Sequence, residues 1–513
     1  MPDQNEEIGT VISNEEGPSP SNVSFVVNSG IVHRGQFVEI DFSEGKMVCL
    51  VTDVFKTNRY FERAESVKEF EVSGKKLFEQ FPTAEWEYLL GQTRPLGVYT
   101  SSGAIKRPTY PPSPGAKVKI AAGANLGKFL GFEKGGLNIG EVDYHSLPVE
   151  LNMSRLLKKH LAVLAMSGSG KSVAVKTIIE EILSRKKEQG RIAILVMDVH
   201  GEYTSFGEPT AGGKAEDFSS RTKIVKAQNI RIGVPKLSVG LIASIISGIS
   251  DPQRRDLEKI LKNAREEMRS GDGPFDLAKV KSLVANSSEI KTKDGLLSWL
   301  STLDSLNLFS KTDMPSINDV VKPGQLTVID FSDLVELKKK QVIVSYFASR
   351  LFHDRRAKKV PPFLLVVEEA HNFAPEKTKL EASISKGIIE TIAREGRKFG
   401  ASLCLVSQRP VNLSTTALSQ CNTNIILRVT NPYDLKHIGE SSEGLDSKST
   451  DMITSLRVGE ALLVGEAVNH PVFFRVRKNR SPDSRHEISL EQAAFEFEKN
   501  SEDSLQDAAE FLE

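Results

Sequence analysis

The chain has 513 residues, enough for two or three domains that each bury a core of their own. Its 67 Lys and Arg balance its 67 Asp and Glu, which excludes an overall basic field, so any DNA contact must come from a local patch or from symmetry that concentrates one. Three scattered cysteines, Cys49, Cys404 and Cys421, exclude a disulfide framework and point to a reducing compartment.

The opening stretch "MPDQNEEIGTVISNEEGPSPS" is acidic and polar, without the charged start and apolar run of a signal peptide. The longest apolar stretch, "GLIASIISGI", falls far short of the ~20 residues a membrane span needs. A soluble cytoplasmic protein with no membrane partner is therefore expected. From Val23 to Ile120, short β-rich runs such as "QFVEIDF" and "MVCLVTDVF" alternate with turn residues, predicting a small closed β-barrel within a first domain, residues 1–125. The Gly-rich connection "AAGANLGKFLGFEKGGLNIG" reads as a linker or a flexible arm.

After residue 145 apolar strands alternate with helical stretches, the pattern of a parallel sheet covered on both faces. The strand candidates are "LAVL", "IAILVMD", "KIVKA", "LTVIDF", "FLLVVEE", "SLCLVSQ" and "NIILRV". The expected fold class is α/β, a mainly parallel sheet formed by residues 126–234 and 321–479 and interrupted by a helical insertion, 235–320. "GEALLVGEAVNHPVFFRVR" predicts a terminal β-hairpin. Residues 480–513, with ten acidic and three basic side chains, predict an acidic helical tail.

Three stretches carry chemistry. "HLAVLAMSGSGKSV" matches the phosphate-loop pattern G-x-x-x-x-G-K-[ST] except at its first glycine, where Ala165 stands. That position only turns the strand into the loop, and a one-carbon side chain is tolerated there at negative φ. Gly168 and Gly170 sit where backbone N–H groups converge on phosphates, so the free φ of glycine is needed at those two. The loop residues Ser167, Gly168, Ser169, Gly170, Lys171, Ser172 and Val173 are the candidate nucleotide contacts. Lys171 faces the β,γ-phosphates and Ser172 the Mg²⁺, at a helix N-terminus that adds its positive dipole end.

"PPFLLVVEEAHNF" delivers Glu368 and Glu369 at the C-terminal end of an apolar strand, where ligands bind in open α/β sheets. The first carboxylate suits Mg²⁺ held through water, and the second suits a general base on the attacking water. "TIAREGRKFGASLCLVSQRP" places Arg394, Arg397 and Lys398 late on a helix and Gln408 at the tip of the next strand, where an amide can orient water near a γ-phosphate. The arginines fit either a finger reaching a neighbouring subunit's ATP or simple complementation of a helix dipole. Asp198, His200 and Glu202 in "MDVHGEY" fit contact with metal, coupling of the nucleotide to the barrel or, nearly as well, a capping Asp before a turn. His200 shows no partner at zinc-ligand spacing. Lys377, Lys379 and Arg409 are candidate contacts to DNA phosphates that hold without reading sequence, or ordinary solvated loop charge.

With "HLAVLAMSGSGKS", "MDVHGEY", "VVEEAHNFAP", "REGRKFGASLCLVSQRP" and "GEALLVGEAVNHP" in this order, the chain resembles the HerA-type ATPases of the HerA/FtsK superfamily over nearly its full length. The resemblance implies a RecA-like P-loop ATPase core behind a barrel shared in type with the ATP synthase N-terminal domain. It implies ATP and Mg²⁺ as cofactors and a homo-hexamer. The implied activity is that of an ATP-driven translocase or helicase on double-stranded DNA, working with a NurA-type nuclease in end resection and recombinational repair. Carried onto this sequence, it makes Lys171 and Ser172 the nucleotide and magnesium ligands, Glu368 and Glu369 the acidic pair with Glu369 catalytic, and Gln408 the polar sensor. Arg394, with Arg397 second, is the candidate trans-acting finger, and Lys159, just before the first core strand, a candidate phosphate contact. A DNA-transfer or defence ATPase with another partner, or an ATP-gated ring scaffold for a nuclease, are the rival readings.

Overall fold

The computed structural model describes residues 7–13, 17–58, 61, 63–72, 86–100, 103–121, 123–210, 216–246, 248–376, 383–442, 444–445, 447–482, 490–492, 494–495 and 497–498. Contacts divide the chain into two compact units, Met1–Ala174 with Cys421–Arg477, and Val175–Gln420 with Lys478–Glu513.

In the first unit the strands β1 (Glu7–Val11), β2 (Val23–Val27), β3 (Phe37–Phe42), β4 (Gly45–Asn58), β5 (Glu87–Tyr99), β6 (Ile105–Lys106) and β7 (Lys117–Ile120) form an antiparallel sheet in the order β2-β1-β7-β3-β4-β5-β6. A further pairing of β2 with β5 closes six of them into a barrel, which leaves those strands no free edge. Phe25 fills the barrel because two glycines make room for its ring. A Cβ on Gly9 would stand 2.5 Å, and one on Gly91 2.4 Å, from that ring. The Gly-rich connection is not a loose linker. It contains a helix, Gly123–Leu130, that buries Leu126, Phe129 and Leu130, and the Phe129 ring stacks on His470 with centroids 4.7 Å apart.

The remaining strands are β8 (Leu137–Val142), β9 (Pro148–Leu151), β10 (Leu161–Leu164), β11 (Ala193–Asp198), β12 (Thr222–Lys226), β13 (Ile232–Gly233), β14 (Phe309–Ser310), β15 (Leu326–Asp330), β16 (Phe363–Val367), β17 (Ala401–Ser407), β18 (Thr423–Ile426), β19 (Glu460–Gly465) and β20 (Val472–Val476). In the first unit β10 lies parallel to β18, and the sheet continues through antiparallel β19, β20, β8 and β9. The hairpin expected from "GEALLVGEAVNHPVFFRVR" is β19 and β20.

In the second unit β12, β15, β11, β16 and β17 run parallel in that order. β11, β16 and β17 are buried at every residue, which is why they read as unbroken apolar runs rather than alternating ones. Met197 is level with Val367 and Val367 with Leu405, so the C-terminal ends of these strands, with Asp198, Glu368 and Ser407, lie within two residues of one another in register.

The same unit holds the helices Val239–Ile245, Asp251–Glu267, Leu277–Asn286 and Lys293–Asp304. Ser250 starts the long one with a capping box closed by Gln253, and Leu257, Ile260, Leu261 and Ala264 line its buried face at helical spacing. The helix Lys171–Leu183 begins in one unit and continues in the other. Within the second unit its buried Glu180 accepts hydrogen bonds from the Arg480 N–H at 2.9 Å and from the Ser481 N–H and hydroxyl at 2.8 and 2.7 Å. The end of the chain's described core is thereby pinned to this helix. Most of residues 480–513, read from the sequence as an acidic helical tail, lie outside the described residues.

Candidate nucleotide site

The phosphate loop follows β10 within the first unit. Gly168 and Gly170 adopt φ of +74° and +99°, the left-handed region open to glycine, whereas Ala165 is buried and absent from the residues of positive φ. A Cβ on Gly168 would meet nothing within 4 Å, so the backbone there lies bare for a ligand. Ser169 is buried and ties the loop to itself by donating to the Met166 carbonyl at 2.7 Å, and the Gly459 N–H donates to the Ser169 carbonyl at 3.2 Å. Lys171 opens the helix and is 6% exposed; Ser167 and Val173 are exposed. A bare glycine backbone with a lysine and a serine at the start of a 13-residue helix fits the triphosphate of ATP.

Within the second unit, Glu368 and Glu369 follow the last residue of β16, and Glu369 takes the left-handed conformation, φ 47° and ψ 46°. A side chain other than glycine held there carries strain of the kind that gathers at working sites. Both carboxylates are nearly inaccessible, 1% and 5% exposed. Buried Tyr203 donates its hydroxyl to Glu368 Oε1, and burial with Glu368 beside it pushes the phenol well above its ordinary pKa, so it remains a donor. Glu369 Oε1 accepts from Gln408 Nε2 at 2.7 Å and lies 4.0 Å from His200 Nε2. Glu369 Oε2 lies 3.4 Å from His371 Nδ1, which is 3.1 Å from Ser407 Oγ.

Asp198 is the foundation of the neighbouring loop. Its Oδ1 accepts from the backbone N–H groups of His200, Gly201 and Glu202 at 3.3, 2.9 and 3.1 Å, and its Oδ2 from that of Tyr203 at 2.9 Å. Burial pushes its carboxyl up to about 7, against the lowering effect of the Tyr203 and Glu202 N–H groups. Of the readings of Asp198, the cap is the one these bonds support, and the capped turn carries Tyr203.

The structure brings Gln408 and His200 to Glu369. Arg394 stands exposed in the last turn of the helix Lys386–Glu395, and Arg397 stands exposed just beyond it, neither with an ion-pair partner among the described residues. Arg409 is exposed next to Gln408. Lys377 and Lys379 lie outside the described residues. Lys159 precedes β10, at the end of the strand opposite the loop, and pairs with Glu466 at 2.7 Å. Sequence reasoning passed over Tyr203 and His371. Both stood inside quoted motifs, "MDVHGEY" and "VVEEAHNF", where a buried-capable polar side chain beside an acidic one was the available signal.

No group of three or more His, Cys, Asp or Glu able to hold a metal occurs among the described residues. Magnesium does not need such a cage, since it is commonly held by one or two carboxylates together with substrate phosphates. No helix among the described residues is long and apolar enough to cross a membrane.

A family model for the central domain of helicase HerA matches residues 137–351, which include the phosphate loop and the Asp198–Tyr203 turn. A DNA double-strand break repair helicase HerA of Pyrococcus furiosus is 30% identical over 399 residues, covering 66% of this chain and 69% of that protein. The chain belongs to the HerA family. Other relatives align over more of it. A probable helicase of Methanocaldococcus jannaschii is 29% identical over 469 residues, 86% of each chain. The HerA of Saccharolobus solfataricus is 27% identical over 489 residues, 91% of this chain and 92% of that one. The fold is that of a HerA-type P-loop ATPase, with its barrel ahead of the core.

Proposed function

We propose that this protein is an ATP-driven DNA translocase or helicase that acts, as a homo-hexamer with a NurA-type nuclease, in double-strand-break end resection and recombinational repair. The observation that carries this reading is the arrangement at Glu369: a strained, buried carboxylate held by a strand-tip amide, in a chain whose HerA relatives are repair helicases. In this reading Lys171 and the loop backbone grip the phosphates of ATP, and Ser172 and Glu368 hold Mg²⁺. The ion, when bound, neutralises charge developing on the phosphates. Glu369 takes the proton of the attacking water, Gln408 orients that water, and Arg394, with Arg397 second, reaches a neighbouring subunit's nucleotide. Arg409, Lys377 and Lys379 grip DNA phosphates, a sequence-independent hold suited to movement along a duplex.

Strand displacement on a blunt-ended linear duplex tests the reading. ATP-dependent unwinding is the expected result. ATP hydrolysis with no displacement, alone and with its nuclease partner, contradicts it and fits a ring scaffold instead.

A further inference from the structure

The mechanism above gives no task to His371, yet this side chain bridges two strand ends. Its Nδ1 lies 3.4 Å from Glu369 Oε2 and 3.1 Å from Ser407 Oγ, the last residue of β17. Ser407 is fully buried, and its Oγ accepts the backbone N–H of Arg409 at 3.1 Å. Gln408, between those two residues, holds the other oxygen of Glu369. The three consecutive residues at the tip of β17 are thus tied, directly or through His371, to both oxygens of one carboxylate.

We propose that His371 is a positioning residue for ATP hydrolysis: it carries a proton on Nδ1, turns it toward Glu369 Oε2 and Ser407 Oγ together, and so locks the carboxylate to the tip of β17. This deepens, and rests on, the reading of Glu369 as the general base. The chemistry follows from the acceptors. An ionised carboxylate offers only lone pairs, so an unprotonated Nδ1 would face Oε2 lone pair to lone pair, while Nδ1–H is attracted to both oxygens. Gln408 holds Oε1, and an anchor on Oε2 fixes the second oxygen of the same carboxylate. A base must sit within hydrogen-bond reach of the proton it takes, and a displacement of about 1 Å can lower a rate about 100-fold. The link also gives β17 a route to the base. A shift of Arg409 on a bound phosphate would move Ser407 and, through His371, Glu369.

The two ring nitrogens can be separated by substitution. Asn places its amide N–H where Nδ1 stands, and Gln reaches instead to the position of Nε2. We expect His371→Ala to lower kcat for ATP about 10- to 100-fold with KM little changed, because only the orientation of the base is lost. His371→Asn should recover most of that loss and His371→Gln should not. Equal activity of the Asn and Gln variants, better rescue by Gln, or a raised KM at unchanged kcat overturns the proposal. Should the Ala variant fail to fold, the Asn and Gln pair still decides, with binding of a fluorescent ATP analogue confirming a folded loop. Glu369→Gln serves as the control. Retained turnover in that variant removes the underlying assignment of the base, whereas its loss alongside full activity of His371→Ala removes only the role given to His371.

Discussion

Glycine is required in the phosphate loop at two positions and dispensable at a third, and the backbone separates them. Gly168 and Gly170 hold φ of +74° and +99°, where an L side chain costs about 1–2 kcal/mol, while Ala165 is outside the positive-φ set. A Cβ on Gly170 would also lie 3.4 Å from the Gly459 nitrogen, whose neighbouring hydrogen bond closes the loop. Ala165→Gly should therefore alter the KM for ATP by less than about twofold, and Gly170→Ala should weaken nucleotide binding about tenfold, the equivalent of that strain. Titration of a fluorescent ATP analogue reads both. Comparable losses in the two variants would contradict the assignment of roles. At Glu369 the left-handed backbone was not legible, because nothing in "VVEEAHNF" marks a glutamate for positive φ. The side chain so placed meets Gln408, 39 residues away in sequence, and His371.

At the scale of elements, strands were the most legible feature, since five- to seven-residue apolar runs such as Phe363–Val367 and Ala401–Ser407 can be buried on both faces only in a covered parallel sheet. What a linear reading could not tell was which distant residues meet: Tyr203 reaches Glu368 across 165 residues of chain. The Gly-rich connection became a helix because Leu126, Phe129 and Leu130 find a core to enter.

Packing of elements also makes the first unit sensitive to acid. The Phe37 N–H at the start of β3 donates to His145 Nε2 at 3.0 Å, which ties the turn between β8 and β9 to the barrel. Burial lowers the pKa of His145 from 6.5 to about 4. Because the folded value is the lower one, the unfolded chain binds the extra proton first. The contribution is complete above about pH 6.5 and is lost as pH falls toward 4, by up to about 3 kcal/mol. His470, stacked on Phe129, is lowered to about 4 by burial and acts in the same direction. His145→Gln keeps an acceptor near the same place without titrating. The fall in Tm between pH 7 and pH 5 should be smaller in this variant than in the wild type, and an equal fall would remove His145 from the account of acid sensitivity.

For the molecule as a whole, equal numbers of basic and acidic residues leave the chain no overall basic field to attract DNA. Neutrality of the chain does not settle the field inside a ring, where one lysine or arginine per subunit becomes a collar of charges facing a central channel. Exposed Arg409, beside the amide that holds Glu369, joins a candidate DNA contact to the proposed base through adjoining residues. DNA binding and ATP hydrolysis are thus expected to be coupled rather than merely present together. The measurement that tests this most directly is ATP turnover of the purified chain with and without linear duplex DNA, taken with its mass in solution by light scattering. Turnover stimulated by DNA in a particle of hexameric mass is the expected result, and turnover by that particle that ignores DNA would contradict a DNA translocase.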